Sequence, residues 1–359
     1  MTTIEFPGLV NYPVYVGHNF VNDIASHLAQ YERVAIFVAA PMVPVAEKLK
    51  DIVSKDASVF IKLMPDGESS KSLETLEAGW KFLAENKISR SDLVIAIGGG
   101  AVTDSVNFCA ATWLRGVDVG LIPTTVLAMV DAAIGGKCGI NTESGKNLVG
   151  VFNDPKFVYC DLDLLTTLDI SDIRAGFAEI VKCGFISDDK ILDLIQANPQ
   201  LVLDATSPQF FECVQRAIEV KANAVRSDRT EKSTNGVGRA ALNYGHTLGH
   251  AVEKKSGYRW RHGDAVSIGM IFAAELAFEL KMLSAAELQL HHDVLNLLNL
   301  PTAYSASKLE DLIPIMTLDK KAKGGYLRFV LLNGIGQPQF LTNPSSDSLT
   351  AAFARLDAK

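Results

Sequence analysis

Through the first half of the chain, apolar residues fall in short continuous runs separated by segments of helical period. Arg33–Val38, Ser58–Leu63, Leu93–Ile97 and Val117–Ile122 are rich in β-branched residues and predict buried strands. Val14–Val16, ahead of Gly17, reads as a shorter one. Between them, Asn22–Tyr31, Ala46–Val53, Leu73–Asn86 and the stretch from Gly100 to Trp113 carry apolar residues three and four apart, as helices do. Strands alternating with helices predict a parallel sheet with helices on both faces.

After Leu165 the pattern changes. Ile173–Ile186, Lys190–Ala197, Gln209–Ser227, Leu242–Ser256, Ala265–Leu280 and Ala285–Leu298 all have helical period. Tyr326–Leu332 and Gln339–Leu341 flank Asn333-Gly334 and predict a hairpin. The chain therefore reads as an α/β domain over residues 1–168 and a mainly helical domain over residues 169–359. No Gly/Ser linker or repeat separates them, so tight packing with a ligand cleft between the two is expected.

Composition narrows the function classes. Hydrophobic residues make up 48% and charged residues 21%, enough for a real core in each domain. A net charge of −7 excludes a global basic field for nucleic acid or an anionic membrane. Basic groups for an anionic small substrate would have to be gathered locally. The five cysteines are odd in number, widely spaced and without a CxxC pair, which predicts reduced thiols in a cytoplasmic protein. No basic and apolar leader opens the chain, and no apolar run is long enough to span a bilayer.

The most informative stretch runs from Arg239 to His250. His246 and His250 are four apart and would share one helix face, with Gly245 and Gly249 at the same spacing beside them. Glycines inside a helix are unfavourable and imply close approach of another element or a ligand. The pair reads either as two metal ligands or as two satisfied polar histidines. Glu179 and Lys182 share a face of a helix bordered by apolar residues, and read either as a local ion pair or as a metal ligand beside an anion binder. His262 precedes a further helix. Glu179 and these histidines offer a His/His/Glu set for Zn²⁺ with one histidine to spare.

Gly98, Gly99 and Gly100, followed by Ala101, Val102, Thr103 and Asp104, lie between a buried strand and a helix. They read either as a tight turn or as a place where backbone N–H groups meet a pyrophosphate. The GxGxxG fingerprint is absent. Nor does an acidic residue follow the strand ending at Val38. Thr124 and Thr125 end another strand. Asp131, Lys137, Lys146 and Asn147 are interleaved with many glycines, which predicts irregular backbone presenting two lysines to a phosphate or carboxylate. Lys221, Arg239, Lys320 and Lys321 are further cations, while His18, His27, His291 and His292 read as surface groups.

In order along the chain, Gly98-Gly-Gly-x-x-x-Asp104, Pro123-Thr-Thr125, Asp131-x-x-x-Gly-Gly-Lys137, Gly145-Lys-Asn147, Ala178-Glu179-x-x-Lys182, Asn243-x-Gly-His246-x-x-Gly-His250 and His262-Gly263 together resemble the sugar phosphate cyclases, and among them the 3-dehydroquinate synthases. The resemblance implies a Rossmann-like N-terminal domain and a mainly helical C-terminal one. It implies a lyase of the shikimate pathway, in aromatic amino acid biosynthesis. Such an enzyme turns 3-deoxy-D-arabino-heptulosonate 7-phosphate into 3-dehydroquinate and phosphate, with transient oxidation by NAD and a Zn²⁺ or Co²⁺ ion. A cytoplasmic homodimer with a small-molecule substrate, and with no nucleic-acid or membrane partner, goes with it.

Matched residue by residue, the resemblance implies Glu179, His246 and His262 as metal ligands. NAD would be held by Asp66, Gly67, Glu68, Ser69, Ser70 and Lys71, by Gly98 to Asp104, by Thr124, Thr125, Asp131, Lys137 and Lys146, and by Leu164, Leu165, Thr166 and Thr167. The substrate would meet Arg115, Lys137, Asn147, Lys182, Lys221, Arg239, Asn243, His250, Lys320 and Lys321. Ser227 to Gly238 is longer than the family pattern. Three other readings compete: another sugar phosphate cyclase, a metal-dependent polyol dehydrogenase, and a non-catalytic NAD-binding protein. The intact Gly-Gly-Lys137 and His250 argue against the first. The lysine set argues against the second, and the complete metal and cation set against the third.

Overall fold

The computed structural model describes residues 2–6, 11–143, 145–229, 237–318 and 326–357. The chain divides into two compact units, Met1–Leu168 and Asp169–Lys359.

The first unit is built on a seven-stranded sheet. Its strands are β1 (Thr2–Phe6), β2 (Tyr12–Gly17), β3 (Arg33–Ala39), β4 (Ser58–Met64), β5 (Leu93–Gly98), β6 (Asp118–Pro123) and, after a separate hairpin of β7 (Lys137–Thr142) and β8 (Gly145–Phe152), β9 (Phe157–Asp161). The order across the sheet is β1-β2-β9-β6-β5-β3-β4. Neighbours pair in parallel except β1, which joins β2 antiparallel at the edge. The apolar runs of β3 and β5 are central because both their faces are covered. On one face lie α1 (Val21–Leu28) and α2 (Val43–Val53), whose Ile24, Leu28, Ala46 and Leu49 join a core with Val34, Ile36, Ile95 and Ile97. Each large aliphatic chain buried there contributes about 1.5–3 kcal/mol. On the other are α3 (Leu73–Glu85), capped by the Ser72 side chain, and α4 (Gly100–Thr112). There Phe37 meets the edge of Phe82, with ring centres 5.5 Å apart.

The expected parallel sheet is present, with β1 returning as an antiparallel edge strand. One sequence expectation is corrected. The glycine-rich stretch 137–152 is not irregular: β7 and β8 pair antiparallel, with Gly139 opposite Gly150. A Cβ on Gly139 would lie 2.5 Å from the Val149 carbonyl oxygen, and one on Gly150 2.4 Å from that of Cys138. These glycines allow close strand approach rather than interrupting a strand.

The second unit is mainly helical. In order come α5 (Ile170–Ile186), α6 (Lys190–Ala197), α7 (Pro208–Ser227), α8 (His246–Lys255), α9 (His262–Glu279), α10 (Ala285–Leu297) and α11 (Leu309–Leu318). The hairpin β10 (Arg328–Leu332) and β11 (Pro338–Thr342) then leads to α12 (Ser346–Ala354). Ser207 caps α7, with Pro208 in the first turn, and Ser284 and Glu287 form a capping box on α10. The helix expected from Leu242 begins only at His246. Gly245 adopts a left-handed conformation (φ 79°), and residues Gly238–Asn243 form a 3₁₀ segment ahead of it. His291 and His292 are buried rather than on the surface. His291 stacks on Phe185 at 3.7 Å and lies 2.9 Å from the Tyr244 hydroxyl. Burial pushes its ring down to about 4. His292 faces Glu275 at 3.3 Å. His18 and His27 are partnered as well, by Asp163 at 2.7 Å and by the Tyr159 hydroxyl at 2.9 Å.

Helix α9 is buried almost all round and forms the centre of this unit. Glycines set how closely it is approached. A Cβ on Gly263 would lie 1.7 Å from the Ala175 carbonyl oxygen of α5, and one on Gly269 would lie 1.8 Å from the Gly245 carbonyl oxygen. One on Gly249 of α8 would lie 3.0 Å from the Ala265 carbonyl oxygen. The expected role of Gly245 and Gly249 in close approach is thus met by a neighbouring helix. Gly269→Ala is expected to lower the unfolding free energy by about 3 kcal/mol or more, as overpacking against backbone does. An unchanged urea midpoint would show that α9 can move away from Gly245 at no cost.

Candidate metal centre and anion-binding loops

In the second unit, helical spacing brings Glu179 and Lys182 to one buried face of α5. The Lys182 ammonium donates to Glu179 Oε2. The other oxygen, Oε1, lies 3.3 Å from His246 Nε2 and 3.3 Å from His262 Nε2. His246 opens α8, and its Nδ1 faces the Tyr244 carbonyl oxygen at 3.1 Å. His262 opens α9, and its Nδ1 faces Glu253 Oε2 at 3.1 Å. Each ring thus has a partner for its outer nitrogen and turns the inner one toward a single carboxylate oxygen.

That oxygen is buried. Both imidazoles come near it, yet neither makes a well-aligned hydrogen bond to it. An ion fits the arrangement better than two long contacts do. Tetrahedral Zn²⁺ bonds nitrogen and oxygen at about 2.0–2.1 Å, which separates its ligand atoms by roughly 3.3 Å. One carboxylate and two imidazoles also match a site that keeps an open position.

The electrostatics follow from the same contacts. Burial works to raise the Glu179 carboxyl, but Lys182, His246 and His262 outweigh it and hold it well below the usual carboxylate range. Burial pushes His246 down to about 4, aided by Lys182 and opposed by Glu179, so this ring is neutral at neutral pH. Burial opposes a charge on His262 too, but the nearby carboxylates of Glu179 and Glu253 raise it to about 10.

His250 sits one turn beyond His246 and is exposed, its ring centre 5.2 Å from that of His246 and 5.9 Å from that of His262. It groups with Glu253 and His262 rather than with Glu179. The two histidines of the HxxxH pair are therefore neighbours with different surroundings. Arg239 and Lys221 are buried cations, the first in the 3₁₀ segment Gly238–Asn243 and the second on α7, which packs against it. Arg239 Nη1 donates to the Arg229 carbonyl oxygen at 2.6 Å. Asn243 ends that segment and is exposed. Lys320 and Lys321 lie outside the described residues, as does most of the long segment between Ser227 and Gly238.

In the first unit, the candidate loops gather at the carboxyl ends of the parallel strands, where open α/β sheets bind ligands. Asp66 to Lys71 follow β4, Gly98 to Asp104 follow β5, Thr124 and Thr125 follow β6, and Leu164 to Thr167 follow β9. Buried Lys71 pairs with Asp104 at 2.6 Å, and the Ser105 hydroxyl donates to the Ser70 carbonyl oxygen at 2.7 Å. The Thr124 N–H donates to the Gly98 carbonyl oxygen at 2.9 Å. No side chain caps α4, so its first N–H groups are open to an anion. Although 19% of the Asp104 side chain is exposed, burial pushes its carboxyl up to about 6; Lys71 pulls it back, and Asp131 and Glu68 add to the rise. Glu68 faces Lys146 at 3.4 Å and accepts from Asn141 at 2.6 Å. Asp131 stands in a π-turn, Ala128–Ala132, Lys137 begins β7, and Lys146 and Asn147 belong to β8. All four were expected on irregular backbone. Asn147 does take a left-handed conformation (φ 55°), its N–H held by Asn141 Oδ1 at 3.1 Å.

Arg115 is the exception. It follows α4 in the 3₁₀ turn Trp113–Arg115, ahead of β6, and neighbouring Trp113 donates to the Ile88 carbonyl oxygen before β5. Arg115 thus lies at the amino ends of the strands, away from the loops just described. Glu253 is the residue that the sequence reading missed. His250 and Glu253 are three apart and His246 and Glu253 seven apart, so the spacing H-x₃-H-x₂-E puts it on the histidine face and could have revealed it.

Comparison with known proteins shows the family. The family model described as 3-dehydroquinate synthase N-terminal matches residues 61–175, and the one described as 3-dehydroquinate synthase C-terminal matches residues 176–322. The chain is 44% identical to 3-dehydroquinate synthase of Mycobacterium leprae (strain TN), over 100% of both chains. Among solved structures, it resembles 2-epi-5-epi-valiolone synthase of Streptomyces hygroscopicus subsp. jinggangensis 5008 with NAD⁺ and Zn²⁺ bound, at TM-score 0.89 and 26% identity over 98% of each chain. It shares its fold with 2-deoxy-scyllo-inosose synthase complexed with carbaglucose-6-phosphate, NAD⁺ and Co²⁺, at TM-score 0.86 and 24% identity, again over 98% of each chain. The two family models meet at Ala175 and together span most of the chain, and the full-length identity to a curated relative joins them: the chain belongs to the 3-dehydroquinate synthase family.

Proposed function

We propose that this chain is a cytoplasmic lyase that converts 3-deoxy-D-arabino-heptulosonate 7-phosphate into 3-dehydroquinate and phosphate, the ring-forming step of the shikimate pathway. The observation that carries the reading is the convergence of Glu179, His246 and His262 on one buried oxygen beside Lys182, in a chain of this family. In this reading those three residues hold Zn²⁺ or Co²⁺, and the loops at the carboxyl ends of β4, β5, β6 and β9 hold NAD. When bound, NAD takes up and later returns one hydride, so no net oxidation results, and the ion acts as a Lewis acid toward the oxidised oxygen.

The chain's own groups do the rest. The first N–H groups of α4 meet the pyrophosphate, with Lys71, Lys146 and the two threonines around it. In the second unit Lys182, Lys221 and Arg239 supply positive charge and hydrogen bonds for the substrate's anionic groups, and in the first Lys137 and Asn147 offer further polar groups. Asn243 orients a hydroxyl. His250, exposed and one turn from His246, carries a proton between substrate and solvent. Proton loss beside the transient ketone breaks the C–O bond and releases phosphate, and the ring closes by an intramolecular aldol step. Arg115 stands at the far end of its own sheet, and in a homodimer it would serve a substrate bound by the partner.

Purified protein with NAD⁺ and Zn²⁺ is expected to release one phosphate per heptulosonate phosphate with no accumulation of NADH, and Glu179→Ala to lower the rate by a hundredfold or more, about 3 kcal/mol. Absence of phosphate release by the wild type would end this reading. The HxxxH pair gives a second test by metal analysis and turnover together. His246→Ala should lose metal affinity, whereas His250→Ala should keep the metal and lose turnover; equal metal loss in both would make them a matched ligand pair. The third test concerns pH. Below about 10 the metal-free His262 holds a proton that an incoming ion must displace, so affinity falls as pH falls, by up to about tenfold per unit. Zinc added to metal-free protein at pH 8 in weak buffer should release about one proton per ion. No release would show that His262 gives up no proton to the ion.

A further inference from the structure

We propose that Glu253 is a positioning residue for the metal centre: it holds the His262 ring by Nδ1 so that Nε2 is the nitrogen offered to the ion. The proposal rests on the metal reading above. An imidazole binds an ion through one nitrogen only when its proton sits on the other. His246 meets this need with a backbone carbonyl, Tyr244, at 3.1 Å. His262 meets it with a side chain, the buried carboxylate of Glu253, also at 3.1 Å.

Glu253 is tied to His262 through the backbone as well. Its carbonyl oxygen accepts from the Tyr258 N–H at 2.8 Å and from the Ser256 hydroxyl at 2.8 Å, which ends α8. The following turn, with Gly257 and Tyr258 both left-handed (φ 64° and 60°), returns the chain to His262. One residue therefore fixes both where α9 starts and how its first side chain is turned. Its carboxylate also places a second negative charge within reach of an ion that Glu179 alone would half-neutralise.

A competing arrangement makes Glu253 a ligand, since its oxygen lies close to nitrogens of His250 and His262. Filled together with the Glu179 site, that would require the His262 ring to bond two ions at once, with both nitrogens stripped of protons. The neutral outer nitrogen of a second-sphere contact needs nothing so costly.

The test is a zinc titration of the metal-stripped full chain against a competing chelator. Glu253→Met keeps the side-chain volume and helix propensity but offers no acceptor. It should bind zinc about 10–100-fold more weakly than wild type, at an unchanged stoichiometry of one. Glu253→Gln retains a neutral acceptor and should fall between the two. With Co²⁺ in place of zinc, the visible absorption of Glu253→Met should shift, and that of Glu253→Gln should stay near wild type; a merely structural role would move neither. Zinc affinity of Glu253→Met within twofold of wild type would overturn the proposal. So would a wild type that takes two ions and loses one on substitution. If Glu253→Met does not fold, an unchanged affinity of Glu253→Gln overturns it equally. A wild type that binds no zinc at all would instead refute the metal reading itself.

Discussion

A carboxylate with 1% of its surface exposed stays ionised only if donors and cations surround it, and the second unit is organised around that requirement at Glu179. One oxygen is met by Lys182 from the same helix face. The other is met by two imidazoles that open two other helices. Placing three helices this close to a single atom is a packing problem before it is a chemical one. It is solved by backbone without side chains: Gly263 lies against Ala175 of α5, and Gly269 against Gly245. A helix start at His246 instead of Leu242 follows from the same glycine. Its left-handed conformation turns the chain so that the His246 ring faces inward.

This explains which parts of the molecule were legible in the sequence. Buried strands such as Leu93–Gly98 declare themselves by continuous apolar runs, and long helices such as Pro208–Ser227 by period. Short elements do not. Thr2–Phe6 is an edge strand whose alternation spans too few residues, and Phe157–Asp161 holds only a four-residue apolar run, Phe157–Cys160, with no period of its own. The glycines of 137–152 read as irregular backbone when they are contacts between strands. In the site, residue types and spacing identified Glu179, Lys182 and the three histidines. They could not say that His250 turns toward Glu253 and His262 while His246 turns toward Glu179, because that depends on where the helix begins. Nor could spacing alone tell Arg115 from the other cations, since the sheet decides which end of the fold it occupies.

The two units present positive charge by different physical means. In the first, the open N–H groups of α4 and the glycines around them present partial charges fixed in the backbone. These suit a ligand held in one place throughout. Ion pairs also tie these loops together, Lys71 with Asp104 and Glu68 with Lys146. In the second unit the charges are whole ones, on Lys182, Lys221 and Arg239, and all three are buried.

Burying cations in a chain of net charge −7 has a consequence for stability. Spread over the surface, those cations would be solvated at little cost and would attract the substrate weakly through water. Held inside, each loses hydration worth several kcal/mol, which partners such as Glu179 and the Arg229 carbonyl offset only in part. The same desolvation strengthens their attraction for any anion that enters, because little water remains to screen it. Long helices are the natural carriers for such groups, since a rigid element whose apolar face is packed can support one unfavourable charge that a loop could not. Lys182 and Lys221 sit on α5 and α7, and the carboxylates Glu179 and Glu253 on α5 and α8. The packed apolar face of each of these helices is thus what allows it to carry a buried charge.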